Sequence, residues 1–133
     1  MWLSIFFVVN FCSILAGLIA GKEIKAFLKR HKSIADEYVL EEFQSLVRRQ
    51  MYMVYFLLFF IVIGLFLNIV VVIHHGLFGF SVALLVNAYS FLQSQYFRRL
   101  EKKARSLNAA NELIARKYYL VSNTWANKPL PDF

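Results

Sequence analysis

Charge is missing from one long stretch of this sequence. Positions 50–97, the 48 residues between Arg49 and Arg98, hold no Asp, Glu, Lys or Arg. An uncharged interior of this kind excludes a proton relay or coupled ion transporter built on intramembrane ionisable groups. Cysteine is almost absent as well. Cys12 stands alone, which rules out an internal disulfide or a thiol metal cluster and leaves it as a small packing residue. The only prolines are Pro129 and Pro131, so no proline ring breaks a helix before them. There is also no glycine-rich phosphate loop, no Ser–His–acid set and no HExxH pair. Glu41 and Glu42 are neighbours on a charged helical segment and read as solvated surface. The expectation is a protein that is not an enzyme and carries no cofactor.

What is present is apolar sequence in blocks. The chain is 59% hydrophobic over 133 residues, with a mean hydropathy of +0.54. A helical membrane span needs roughly 20 apolar residues. The uncharged stretch accommodates two, and Trp2–Ala20 supplies a third. Continuous apolar runs are not the alternating pattern of barrel strands, so the spans are helices. The first run reads as retained: its first basic residue, Lys22, follows the apolar segment, and Leu18 stands where a cleavage site before Gly21 wants a small residue. All fifteen Lys and Arg fall in two places, seven in Lys22–Arg49 and eight in Arg98–Lys128. The positive-inside rule then places the amino terminus and the His74–Gly76 connection outside and both basic segments in the cytoplasm. The net charge of +7 reflects this topology; basic residues interleaved with groove-reading elements, the mark of a nucleic-acid partner, are lacking.

The expected fold is therefore an all-α integral membrane protein with three transmembrane helices. Residues 1–21 form the first and 22–33 a basic cytoplasmic linker. Residues 34–73 form a cytoplasmic helix, begun by Ser33 as cap, that continues into the second span. Residues 74–78 turn outside, residues 79–118 form the third span and its cytoplasmic continuation, and 119–133 are an extended tail. The last two spans would make a long antiparallel hairpin of about 40 residues per arm, roughly 60 Å at 1.5 Å per residue, projecting into the cytoplasm. Steps of four and three trace one seam from Phe43 through Val47, Gln50, Gly64, Asn68 and Val71. The facing seam runs from Gly79 through Ala83, Ser90, Gln93, Ala104 and Ile114 to Tyr118. This is the 3.5-residue repeat of a left-handed coiled coil. With the turn centred near Leu77, Gly64 should face Ser90, and Asn68 should reach Asn87. Small and polar residues suit contacts inside lipid, where apolar burial gains little. The first span carries two small-residue ridges, Cys12–Ala16–Ala20 and Ser13–Gly17–Gly21, which call for a close partner in the hairpin or in another subunit.

Four further features bear on function. His74 and His75 are adjacent, diverge by about 100° on a helix, and have no third donor on their side; the prevailing reading is an interfacial turn, and a shared haem or metal site is the alternative. Trp125, Leu130 and Phe133 in the tail are candidate anchors for a partner surface. Arg98, Arg99, Lys102 and Lys103 form a juxtamembrane basic cluster suited to anionic lipids. Asn10, Asn68, Asn87, Gln93 and Gln95 read as helix–helix hydrogen-bonding residues, with pore lining as the alternative. Together these point to a small non-catalytic subunit that assembles, stabilises or docks a larger membrane complex through other membrane subunits, or as a homo-oligomer. The layout of outward amino terminus, inward carboxyl terminus and basic tail resembles that of three-span phage holins, which would imply a pore-forming oligomer. The expected location is a cell inner membrane, with an organelle membrane as the alternative.

Overall fold

A computed structural model describes all of residues 1–133 and is all-helical. Three helices of 29, 68 and 16 residues dominate it: α1 (Trp2–Arg30), α2 (Glu37–Ala104) and α3 (Glu112–Asn127). Two short strands, β1 (Ser33–Ile34) and β2 (Asn108–Ala109), pair in parallel, Ser33 opposite Asn108 and Ile34 opposite Ala109. Helices α1 and α2 are long and apolar enough to cross a membrane.

Helix α2 is not a single rod. Gly76 takes φ 55° and ψ −132°, and the chain doubles back there. Glycine is the residue that reaches this backbone region without steric penalty. Residues 37–75 and 77–104 thus form two arms, of 39 and 28 residues. Asn87 Nδ2 donates to Asn68 Oδ1 at 3.0 Å, the cross-arm contact expected from the seams. Gly79 is also required by packing, because a Cβ there would press on the Val71 backbone carbonyl and the His75 side chain.

Packing is concentrated at the two ends of the hairpin. Near the turn, Phe6 of α1 is buried among Leu67, Val71 and Ala83, and Trp2 stacks on His74 with ring centroids 6.1 Å apart and planes 11° from parallel. At the basic end a larger core joins every element. It comprises Ile24 and Phe27 of α1, Ile34 of β1, Val39 to Met51 of the first arm, Ala104 of the second, and Ile114, Tyr118, Val121 and Trp125 of α3. Phe43 is its centre, with ring contacts to Phe27, Tyr118 and Trp125 at 5.7, 4.9 and 6.1 Å. Burying an aromatic side chain of this size stabilises a fold by about 1.5–3 kcal/mol, so this core is the most strongly held part of the chain.

The structure corrects several expected boundaries. Residues 22–30 belong to α1, whose Lys22–Arg30 portion contains no glycine or proline to stop it; the linker shrinks to 31–36. Asp36, not Ser33, caps α2, its carboxylate accepting from Val39 N at 2.9 Å, while Ser33 lies in β1. The turn is a single residue, since His74, His75, Leu77 and Phe78 remain helical. Residues 79–118 are not one helix. α2 ends at Ala104, the chain crosses to pair β2 with β1, and Asn111 restarts a helix by accepting from Ile114 N at 2.9 Å. Tyr118 stabilises this break: its hydroxyl donates to Ala104 O at 2.5 Å and accepts from Leu107 N at 3.0 Å. Helix α3 then absorbs most of the segment expected as an extended tail, leaving only 128–133 without helix.

Two mutational outcomes follow from this packing. Tyr118→Phe keeps the ring and strips both hydrogen bonds at the break, so thermal or denaturant unfolding in detergent should show a loss of about 1–3 kcal/mol. Gly79→Ala should disrupt the reversal, costing about 1–3 kcal/mol through overpacking, whereas Gly64→Ala, with no atom within 4 Å of the new Cβ, should be neutral.

Candidate functional site

Between the two packed ends, the helices separate and leave a groove of about 500 Å³. Helix α1 contributes Asn10, Ser13 and Gly17, and the first arm contributes Asn68 and Gly64 with an apolar wall of Val54, Leu57, Phe60, Ile61 and Leu65. The second arm contributes Asn87, Ser90, Gln93, Ser94 and Phe97, then Arg98 and Glu101 where the groove reaches the basic end. These second-arm positions recur at steps of three and four, so they form one polar stripe along a helix face. From Asn87 to Glu101 the stripe runs about 21 Å at 1.5 Å per residue. The Phe6–Leu67–Val71–Ala83 cluster closes the groove at the turn end.

The local hydrogen bonds show how the lining is held. Gln93 Nε2 donates to Ile14 O at 2.9 Å, tying the second arm to α1. Gly17 permits this, since a Cβ there would sit 3.0–3.1 Å from the Gln93 amide atoms. Asn10 Nδ2 donates to Phe6 O at 2.8 Å, and Asn87 Nδ2 also reaches Ala83 O at 2.6 Å. Gln50, only 1% exposed, donates from Nε2 to Ala20 O at 3.1 Å just beyond the groove. The other polar atoms of the lining have no partner in the chain: the hydroxyls of Ser13, Ser90 and Ser94, Asn68 Nδ2, and the side-chain oxygens of Asn10, Asn87 and Gln93. The groove therefore offers both donors and acceptors to an occupant.

Ionisable groups enter only at its basic end. Burial holds the Glu101 carboxyl above its usual range, an effect that Arg105 and Arg98 partly offset. Arg105 Nε lies 3.5 Å from Glu101 Oε1. Arg98 has no ion-pair partner within 4 Å, and Arg99, Lys102 and Lys103 are exposed beside it.

The expected site residues separate into distinct groups. Of the small-residue ridges, Ala16, Ala20 and Gly21 are buried, Gly17 meets Gln93, and Gly21 lies near Leu100, so this face packs on its own hairpin. Cys12 is half-buried, and Ser13 lines the groove. Ala83 packs in the turn-end cluster, but Gly64 and Ser90 do not touch; both line the groove, which opens where the seam was expected to close. Trp125 and Phe133 are not free anchors. Trp125 is buried in the chain's own core, and Phe133 packs against that core while Arg48 stacks over its ring at 5.7 Å and donates to its carbonyl at 2.9 Å. Tyr55 donates to Pro129 O, which ties the last residues down further. Only Leu130, 56% exposed, still faces outward. His74 and His75 are exposed, and no group of three or more His, Cys, Asp or Glu gathers around them. His31 lies at the other end, 2.7 Å from Glu42. Ser94, Arg98 and Glu101 were missed as lining residues; their steps from Ser90 along the second arm were the available signal.

Comparison of the chain with family models, curated proteins and solved structures finds no match.

The buried carboxyl predicts a pH dependence. A raised folded-state pKa means that Glu101 favours the fold while protonated and opposes it increasingly as pH rises through that pKa. Glu101→Gln should therefore leave stability unchanged in acid and raise it relative to wild type at neutral pH, measured as thermal midpoints in detergent across a pH series.

Proposed function

We propose that the chain is a three-span integral membrane protein that works by binding, as a non-catalytic accessory subunit of a larger membrane assembly. Helix α1 supplies one span and the two arms of α2 the others. The depths agree: Trp2 to Lys22 is 21 residues, and Tyr55 to His74 and Leu77 to Tyr96 are 20 each. At 1.5 Å per residue each is about 30 Å, the thickness of a bilayer's hydrocarbon core. Trp2 at one border and Tyr52, Tyr55 and Tyr96 at the other sit where aromatic belts form. Only 17% of the residues in each helix's apolar window are buried inside the molecule, the reverse of a core helix in a water-soluble fold. By the positive-inside rule this reading has the amino terminus outside and the large core in the cytoplasm, and the proposed location is a cell inner membrane.

One observation carries the binding role. The groove sets unpaired donors and acceptors at the depth of the acyl chains, where unsatisfied polar groups are costly. An occupant that completes them is favoured, and Asn68 and Asn87 offer them to a neighbouring helix. Interhelical hydrogen bonds of this kind average about 0.6 kcal/mol each, so docking uses several together. The lining holds amides and hydroxyls, and its only ionisable groups lie at one end. The pore reading would need several copies, because the Phe6 cluster plugs each groove at the turn end.

Gentle detergent extraction of tagged protein tests this. A second membrane protein should co-purify at a fixed ratio, and Asn68→Ala with Asn87→Ala should reduce its recovery severalfold while the variant stays folded. A protein that is soluble without detergent, or monomeric with nothing attached, would overturn the proposal. Timed depolarisation of expressing cells would instead support the pore.

A further inference from the structure

We infer that the groove holds one anionic phospholipid, its phosphate beside Arg98. The inference rests on the three-span reading but not on the protein partner. Arg98 lies two residues past Tyr96, at the depth where the second arm leaves the hydrocarbon and phosphates of the cytoplasmic leaflet reside.

Charge selects the ligand's sign. The groove contains two ionisable groups, Arg98 and Glu101. Arg105 is paired with Glu101 at 3.5 Å, and Arg98 is left without an ion-pair partner. With Arg99, Lys102 and Lys103 exposed alongside, the mouth is strongly positive. A phosphodiester fits it, whereas a choline cation would face Arg98 unfavourably.

Hydrogen bonding suits the lipid just below its phosphate. Ser94 lies four residues, about 6 Å, from Arg98 toward the bilayer centre, where its hydroxyl donates to phosphate or ester oxygens. The apolar wall of the first arm, from Val54 to Leu65, lies alongside for an acyl chain.

Native mass spectrometry of the full chain from micelles doped with phosphatidylglycerol or phosphatidylcholine tests this. Wild type should retain one phosphatidylglycerol in preference to phosphatidylcholine. Arg98→Gln should reduce that retention at least about fivefold, the factor matching ~1 kcal/mol per basic residue at a lipid surface. Arg98→Lys should restore most of it. Ser94→Val, which keeps every charge, should also reduce it. Arg99→Gln with Lys102→Gln should weaken retention less than Arg98→Gln alone, since neither residue lines the groove. Equal retention of the two lipids overturns the inference, as does a loss in Arg99→Gln/Lys102→Gln matching that in Arg98→Gln, which would mean surface charge alone. Displacement by soluble glycerol phosphate would overturn the lipid assignment in favour of a free phosphate. Because the isolated protein is read, lost lipid selectivity with a partner still co-purifying would sink this inference and leave the assembly role standing.

Discussion

The reversal at Gly76 is the constraint on which the rest depends. An uncharged stretch of 48 residues keeps its backbone hydrogen bonds internal only by remaining helical, and helix alone would carry the chain away from its basic end. One residue in the left-handed region returns it. Asn87 then meets Asn68, Ala104 joins Phe43 in one core, and Gln93 reaches α1. Moving the reversal by one position would rotate the second arm by about 100° and carry its polar stripe away from α1.

Packing is unequal along the hairpin for a physical reason. At the basic end, aromatic and aliphatic side chains from every element bury against one another around Phe43, as water requires. Along the apolar arms that drive is weak if lipid surrounds them, and contacts fall to small residues and a few amides. The arms can therefore part without large cost between Phe6 and Phe97, and the groove occupies that gap. Glu101 and Arg98 mark its change of surroundings, where burial raises the carboxyl's pKa and one guanidinium remains unpaired.

The helical class, the two apolar helices and the turn near Leu77 were legible from composition and periodicity. So was the Asn68–Asn87 contact, because an antiparallel pair about a known turn leaves little freedom of register. The break at 105–111 was not legible. Residues Arg98–Tyr118 contain no glycine or proline and are rich in helix formers, so local propensity favours a continuous helix; Asn111 capping α3, Tyr118 on Ala104 and β2 beside β1 override it together. The tail was misread for a related reason. Trp125 and Phe133 have the character of docking residues, and they do dock, but onto Phe43, Arg48 and the rest of their own chain.

By itself, the sequence determined where charge is excluded, which segments are helical and which end is basic, because these follow from residue type and spacing. Only the tertiary structure decided which polar residues satisfy one another and which are left facing a groove. Gly64 and Ser90 have the chemistry of a closed helix contact, yet they line an opening because Gln93 binds α1 and props the second arm there. Such outcomes depend on three helices meeting at once, and no single helix encodes them.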